Sequence, residues 1–196
     1  MDAGQWDERY SKDGLEWGSP PNRFLVRELA EMPPGRALDV AAGEGRNAIW
    51  LAEQGWEVTA VDYSRVAVEK GRRWAAEREL VIDWIVADVT GFTPVPGSFD
   101  LAILFYLQLP PAEWAAVLRT TAAAVAPGGT LLTVGHDRLN LTEGTGGPQE
   151  ASVLHDVDEI VAVLDGLRIE KAERETRPVE GAERPALDTL VRARRP

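Results

Sequence analysis

Short apolar stretches alternate along the chain with longer stretches in which apolar residues recur every three or four positions. The first pattern is typical of a buried strand and the second of a helix with one buried face. Clusters of Pro and Gly, such as 33–35 and 127–129, separate them. The pattern predicts strands at about 36–41, 56–61, 81–87, 99–106, 130–134, 167–175 and 187–194, helices at about 46–54, 64–79, 110–126 and 156–164, and a Gly- and Thr-rich loop at about 138–152.

Strands and helices that alternate in this way indicate an α/β fold, with a mainly parallel sheet and helices on both faces. The last two strands depart from the alternation, because the polar segment at about 176–186 between them has no helical pattern. We therefore expect a Rossmann-like, doubly wound sheet of seven strands that ends in an antiparallel hairpin. Such a hairpin is unusual for dinucleotide dehydrogenases.

The length of 196 residues is that of a single domain. The formal net charge of −11 disfavours a nucleic-acid partner, and the short basic run Arg192, Arg194 and Arg195 is expected to be a solvated strand end. Cysteine is absent, which excludes disulfides and thiolate chemistry. The sequence shows neither a signal-peptide pattern nor an apolar run of the ~20 residues that cross a bilayer, so we expect a cytoplasmic protein without membrane contact.

A glycine-rich turn, Gly43-Glu44-Gly45, follows the first predicted strand and fits the loose dinucleotide pattern G-x-G-x-x-[GA]. Its bare backbone can approach a ligand closely, and the helix beginning near Arg46 offers N-terminal amides to an anion. NAD would place a pyrophosphate beside Glu44 and Asp39, two acids that oppose it. S-adenosylmethionine, with one carboxylate and two positive centres, suits these acids better.

Two more acids follow the next strands. Asp62, 17 residues after Gly45, can accept hydrogen bonds from both hydroxyls of a ribose, and Asp88 can accept one from the adenine amine while Val89 packs on the ring. Taken singly, each acid could instead be a turn residue or a helix N-cap. The candidate cofactor-binding residues of these strand ends are Asp39, Ala41, Gly43, Gly45, Arg46, Asn47, Asp62, Tyr63, Asp88, Val89 and Phe105.

The motifs ALDVAAGEGRNAIWLAEQGWEVTAVDYS, ADVT, FDLAILF and APGGTLLTV resemble those of class I S-adenosylmethionine-dependent methyltransferases. Within that superfamily the chain is most similar to the tellurite-resistance and thiopurine-type enzymes, which methylate small soft nucleophiles. The resemblance also implies that WDERYSKDGLEWGSPPN belongs to an N-terminal helical lid of about residues 1–32 over a core of 33–196. Trp6, Tyr10 and Trp17 would then line the cleft, with Tyr10 and Trp17 as cofactor contacts; alternatively, Trp6 and Tyr10 form the apolar stripe of a packing helix.

Methyl transfer from a sulfonium requires mainly positioning, and a base only if the acceptor arrives protonated. His136, after the fifth strand, is the candidate base, and Tyr106, after the fourth, can shape the acceptor pocket or donate a hydrogen bond. His155 is expected at the surface, and no metal-ligand cluster is recognisable. The expected acceptor is a small thiol, selenol, metalloid oxyanion or acidic hydroxyl. The alternatives are an NAD-dependent oxidoreductase and a non-catalytic S-adenosylmethionine-binding protein.

Overall fold

The computed structural model describes residues 3–196. Its seven strands are β1 Arg36–Val40, β2 Glu57–Asp62, β3 Ile82–Val86, β4 Phe99–Phe105, β5 Val125–His136, β6 Arg168–Arg177 and β7 Ala186–Arg194. They form one sheet in the order β3-β2-β1-β4-β5-β7-β6. Strands β1 to β5 are parallel, and β7 is antiparallel to both β5 and β6. The predicted fold class, including the terminal hairpin, is confirmed.

The helices are α1 Ala3–Tyr10, α2 Arg23–Glu28, α3 Arg46–Glu53, α4 Arg65–Ala76, α5 Pro111–Ala124, α6 Asn140–Glu143 and α7 Val157–Val163. The predicted loop at 138–152 therefore contains a short helix, and a 3-10 turn covers Ala151–Val153. Strand β5 begins at Val125 rather than near residue 130. The β4–β5 pairing contains a bulge between Phe99 and Leu101 of β4, and this bulge allows Pro127-Gly128-Gly129 to remain within β5. Across residues 3–196, every helix is too short or too polar to pass through a bilayer.

Two apolar cores lie on the two faces of the sheet. One contains Ile49 and Leu51 of α3 with Val68 of α4. The other contains Leu118 of α5 and Ile160 of α7. Alternating residues of the central strands supply both cores, as the pleat of a strand requires. The helices therefore cover both faces, as the sequence pattern predicts.

Helix α2 also belongs to the first core, because Phe24 and Leu25 are fully buried there. Asn22 caps this helix, and its side chain accepts a hydrogen bond from the amide of Phe24. This part of the N-terminal region is therefore packed into the core of the sheet.

The parallel strands all end at one edge of the sheet, and the connections reverse direction between β1 and β4. A crevice at such a reversal is where open α/β sheets bind ligands. The hairpin adds to the same edge, because β6 ends there at Arg177 and β7 begins there at Ala186. The edge thus collects side chains from all parts of the chain.

The bare α-carbon of Gly45 accommodates the indole of Trp84 in β3. A Cβ at Gly45 would lie 2.2 Å from that ring, and the residue has φ +80°. We expect Gly45→Ala to lower the free energy of unfolding by about 2–4 kcal/mol, through overpacking and backbone strain together. Urea unfolding measures this loss. Gly97→Ala is the matched control, since Gly97 has φ +65° with open space around it, and an equal loss in both variants would contradict the packing role.

Candidate functional site

The turn between β1 and α3 is held in left-handed backbone conformations. Ala41, Gly43 and Gly45 have φ +60°, +58° and +80°. A left-handed Ala is strained by about 1–2 kcal/mol, and such strain is common at ligand sites. The turn is fixed by hydrogen bonds from the amide of Ala42 to the carbonyl of Val61 and from the amide of Gly45 to the carbonyl of Ala42.

Asp62 connects this turn to the end of β2. Its Oδ2 accepts a hydrogen bond from the amide of Gly43 at 2.8 Å, and its Oδ1 accepts one from the amide of Ser64 at 2.9 Å. Burial raises the pKa of Asp62, and the two amide hydrogen bonds oppose that rise. The predicted ribose acceptor therefore lies at the turn and also holds its backbone in place.

Asp39, the second acid of the turn, is buried with only partial compensation. It is 1% exposed, and its Oδ2 has no hydrogen-bond partner in the described chain. Burial and the charge of Asp62 together raise its pKa to about 8, while Arg46 and a hydrogen bond from the Ala48 backbone oppose the rise. A buried carboxylate oxygen without a partner is unfavourable. A positive ligand group beside the turn would relieve it.

Helix α1 and the following residues close over the turn. A Cβ on Gly43 would lie 2.8 Å from the hydroxyl of Tyr10, so Tyr10 occupies the space above the bare backbone. Tyr10 is buried and stacks on Trp6, and its hydroxyl accepts a hydrogen bond from Nε1 of Trp17. The three predicted lid aromatics therefore form one cluster, with Trp17 the most exposed.

Glu44 fastens this cover instead of facing the turn. One carboxylate oxygen of Glu44 accepts a hydrogen bond from the amide of Glu16 at 2.8 Å, and the other lies 3.1 Å from Nζ of Lys70. Lys70 also donates to the carbonyls of Lys12 and Gly14. The expectation that Glu44 repels a pyrophosphate is therefore wrong, because its charge is paired with Lys70. Of the two acids expected to oppose a pyrophosphate, Asp39 is the one without a salt-bridge partner among the described residues.

The remaining candidate cofactor residues differ in their surroundings. Asp88 is exposed, and its Oδ1 accepts hydrogen bonds from the amide and hydroxyl of Thr90, which is the local turn role that the sequence left open. Asn47 is buried and accepts a hydrogen bond from the amide of Asn22, so it anchors the start of α2. Arg46 donates to the carbonyl of Trp17. Along the same strand ends, Phe105 is buried, and Tyr63 and Val89 are half-buried.

A polar cluster lies across the crevice, at the ends of β4 and β5. Asp188 of β7 is fully buried, and its carboxylate contacts the Tyr106 hydroxyl at 3.0 Å, Nε of Arg177 at 2.7 Å and Nδ1 of His136 at 3.1 Å. The Tyr106 and His136 rings lie 4.9 Å apart. Burial raises the pKa of Tyr106 to about 12, and the charge of Asp188 adds to the rise. The two predicted catalytic residues therefore share one buried carboxylate.

His136 and Tyr106 line a narrow cavity beneath residues 148–155. The apolar part of its wall includes Trp114, Leu154 and Ile160. His155 also lines it, so the expectation that His155 lies at the surface is wrong. Its ring stacks on Trp114 at 4.0 Å, burial lowers its pKa, and its Nε2 has no hydrogen-bond partner among the described residues.

Several functional candidates were not predicted from the sequence. Three of them form hydrogen bonds with residues that are distant along the chain: Asp188, Arg177 and Lys70. Asp188 carried one signal, a charge within the apolar strand ALDTLV. The basic run near the end of the chain is also only partly solvated: Arg192 pairs with Glu28, and Arg195 donates to the carbonyl of Ala122. Within residues 3–196, His, Asp and Glu side chains form no cluster able to hold a metal ion.

Comparison with known proteins gives a consistent picture. A family model described as a methyltransferase domain matches residues 37–129. A ubiquinone biosynthesis O-methyltransferase from Xanthomonas campestris pv. campestris is 29% identical over 127 residues, which cover 64% of this chain and 53% of that protein. The chain thus spans about half the length of the curated relatives that it matches first.

Two solved structures share the fold over nearly the whole chain. The N-methyltransferase NodS from Bradyrhizobium japonicum, in complex with S-adenosyl-L-homocysteine, has a TM-score of 0.77 at 15% identity, covering 99% of this chain and 98% of that one. TehB from Haemophilus influenzae has a TM-score of 0.75 at 16% identity, covering 97% of this chain and 66% of that one. At these identities the likeness concerns the fold.

The contacts of Lys70 predict how the cover is fastened. Lys70→Ala removes the pairing with Glu44 and two hydrogen bonds to residues 12–14, so we expect the Glu16 amide to exchange with deuterium at least about tenfold faster. Hydrogen exchange resolved by residue measures this. Lys12→Ala is the control, because Lys12 contributes only its backbone carbonyl to this network. Equal exchange rates in both variants would mean that Lys70 does not hold the cover.

Proposed function

Because the chain contains a methyltransferase domain of the class I S-adenosylmethionine-dependent type, we propose that it transfers the methyl group of S-adenosylmethionine to a small molecule. The acceptor is proposed to be a soft nucleophile: a thiol, selenol, metalloid oxyanion or acidic hydroxyl. The name of the Xanthomonas relative, an O-methyltransferase, favours the hydroxyl within this set. The product of the cofactor is S-adenosyl-L-homocysteine.

The observation that carries this proposal is the unpartnered Oδ2 of Asp39 beside the left-handed turn. A buried carboxyl gains charge attraction when it ionises beside a positive group and gains none beside a phosphate, which favours a sulfonium- and ammonium-bearing cofactor over a dinucleotide. Asp62, at the neighbouring strand end, keeps capacity to accept from ribose hydroxyls, because each carboxylate oxygen has two acceptor sites. Among the other candidates, Phe105 and Val89 are placed to contact apolar parts of the cofactor.

The sulfonium supplies the leaving group, so the protein is left to orient the acceptor and exclude water. Orientation of this kind can contribute about 7–11 kcal/mol. Tyr10 and Trp17 cover the turn, while Tyr106 and His136 border the acceptor side. We propose that residues 1–196 form a single domain and that its lid precedes Asn22. The first two residues of the expected lid lie outside the described residues. The proposed location is the cytoplasm, with neither nucleic acid nor a membrane as a partner.

Release of S-adenosyl-L-homocysteine tests the proposal against its alternatives. The purified protein is incubated with S-adenosylmethionine and a panel of thiols, selenite, tellurite, hydroxylated aromatics and amines, with tRNA and protein extracts as macromolecular acceptors. We expect turnover with at least one small acceptor. Turnover confined to tRNA or protein would exclude a small acceptor, and cofactor binding without any turnover would indicate the non-catalytic alternative.

The raised pKa of Asp39 predicts that cofactor binding depends on pH. Below about pH 8 the empty site holds this carboxyl protonated, whereas a cationic ligand favours the ionised form. Binding should therefore release a proton, and affinity should rise by up to about tenfold per pH unit as pH increases toward 8. Calorimetry in buffers of different ionisation enthalpy measures the released proton. Asp39→Asn should abolish that release while Asp83→Asn retains it, and an unchanged release in Asp39→Asn would contradict the assignment.

The position of Asp62 predicts a second effect on binding. Asp62→Ala removes the proposed acceptor for two ribose hydroxyls, with each charge-assisted hydrogen bond contributing about 1.5–3 kcal/mol. It also leaves the amides of Gly43 and Ser64 without their acceptor, so some loss of stability is expected as well. Titration calorimetry should show at least a tenfold weaker affinity for S-adenosylmethionine at a temperature where circular dichroism shows a folded protein. Unchanged affinity would place the ribose elsewhere.

A further inference from the structure

Asp188 is the centre of the polar cluster on the acceptor side. Its Oδ2 accepts hydrogen bonds from Nε of Arg177 at 2.7 Å and from the hydroxyl of Tyr106 at 3.0 Å. Its Oδ1 lies 3.1 Å from Nδ1 of His136 and 3.5 Å from a second Arg177 nitrogen. Three of these contacts, from Tyr106 and Arg177, are hydrogen bonds, whereas the contact with His136 is close but lacks hydrogen-bond geometry.

The surroundings of Asp188 keep it ionised. Burial raises its pKa, but the contacts with His136 and Arg177 outweigh burial and hold the pKa below its usual range. The register of the hairpin produces this arrangement. Asp188 of β7 lies directly opposite His136 of β5. On its other side it lies opposite Glu175 of β6, two residues before Arg177. A carboxylate whose pKa is lowered therefore lies against one edge of the His136 ring.

His136 is held from several sides. Asp188 contacts its Nδ1, and the Tyr106 ring lies 4.9 Å from it. Gly147 covers the ring so closely that a Cβ there would lie 3.0 Å from three of its atoms, including Nε2. The Nδ1 contact is short but not well aligned, which is common for catalytic hydrogen bonds before substrate binds. The ring of His136 also lines the cavity.

We propose that His136 is the general base of the reaction, that Asp188 positions it, and that the acceptor is a small molecule whose reacting hydroxyl is protonated at neutral pH. This inference rests on the proposed methyltransferase function and narrows its acceptor. Nε2 takes the hydroxyl proton, the oxygen lone pair forms the bond to the methyl carbon, and the electron pair of the broken carbon–sulfur bond stays on sulfur. Asp188 stabilises the imidazolium that results.

The cavity indicates the kind of molecule that carries this hydroxyl. It is narrow in this structure, with a volume of about 10 Å³, which is the space of a single water molecule. Leu104, Trp114, Leu154 and Ile160 form apolar parts of its wall. Since an acceptor that is already ionised needs no base, a buried Asp–His pair beside an apolar wall favours an acceptor with a protonated hydroxyl over a thiolate or a metalloid oxyanion.

The tautomer of His136 tests the positioning role without any acceptor. The chain has two histidines, so ¹⁵N spectra of the ring nitrogens can be assigned with His155→Gln alone. In the wild-type protein near pH 8 we expect His136 to carry its proton on Nδ1, and Asp188→Asn to shift the population toward the Nε2–H form. A wild-type His136 protonated on Nε2 would overturn the proposal, as would a tautomer that Asp188→Asn leaves unchanged.

A pair of probe acceptors tests the base. Phenol and thiophenol have the same ring, but at neutral pH phenol is protonated and thiophenol is largely ionised. We expect His136→Ala and Asp188→Asn to lower methylation of phenol by about 100-fold or more, and that of thiophenol by less than about fivefold. Asp137→Asn is the control, because Asp137 is equally buried and pairs with Arg174 of the same hairpin but does not line the cavity.

Each outcome of the probe assay leads to a different conclusion. Equal losses with both probes would mean that the cluster is structural, and no loss with phenol would mean that no base is needed. If the wild-type protein binds S-adenosylmethionine but methylates neither probe, the hydroxyl acceptor is wrong. Failure to bind S-adenosylmethionine at all would instead remove the proposed function on which this inference rests.

Discussion

Burial of carboxylates at one edge of the sheet is the constraint on which the rest of the site depends. Asp39, Glu44, Asp62 and Asp188 are 1%, 4%, 6% and 0% exposed, and each must be compensated within the protein or by a ligand. Backbone amides compensate Asp62, Lys70 with a backbone amide compensates Glu44, and Arg177 with its neighbours compensates Asp188. Asp39 differs from these three, because its Oδ2 has no hydrogen-bond partner among the described residues.

The paired carboxylates at this edge of the sheet also have different structural roles. Glu44 and Lys70 fasten the N-terminal cover, Asp62 holds the turn, and Asp188 fixes the ring of His136. Because every one of these groups uses its charge locally, we propose that the unpartnered oxygen of Asp39 provides the electrostatic preference for a ligand at the turn.

The parts of the fold and site that depend on local sequence could be predicted. The seven strands, the terminal hairpin and the turn around Gly43 follow from periodicity and from glycines at short spacing. The partners of Asp188 and Glu44 could not, because strand register and helix packing bring them together from distant positions. The prediction that His155 lies at the surface failed for a similar reason. His155 directly precedes Asp156, the N-cap of α7, but its ring is buried by stacking on Trp114 of the distant helix α5.

The central claim is that the turn and Asp39 select a cationic methyl donor over a dinucleotide. Titration calorimetry of the wild-type protein at pH 8, with S-adenosylmethionine in one experiment and NAD in the other, tests it most directly. The account predicts saturable one-to-one binding of S-adenosylmethionine and at least about 100-fold weaker binding of NAD, a preference of about 2.7 kcal/mol. Binding of NAD as tight as that of S-adenosylmethionine would contradict it.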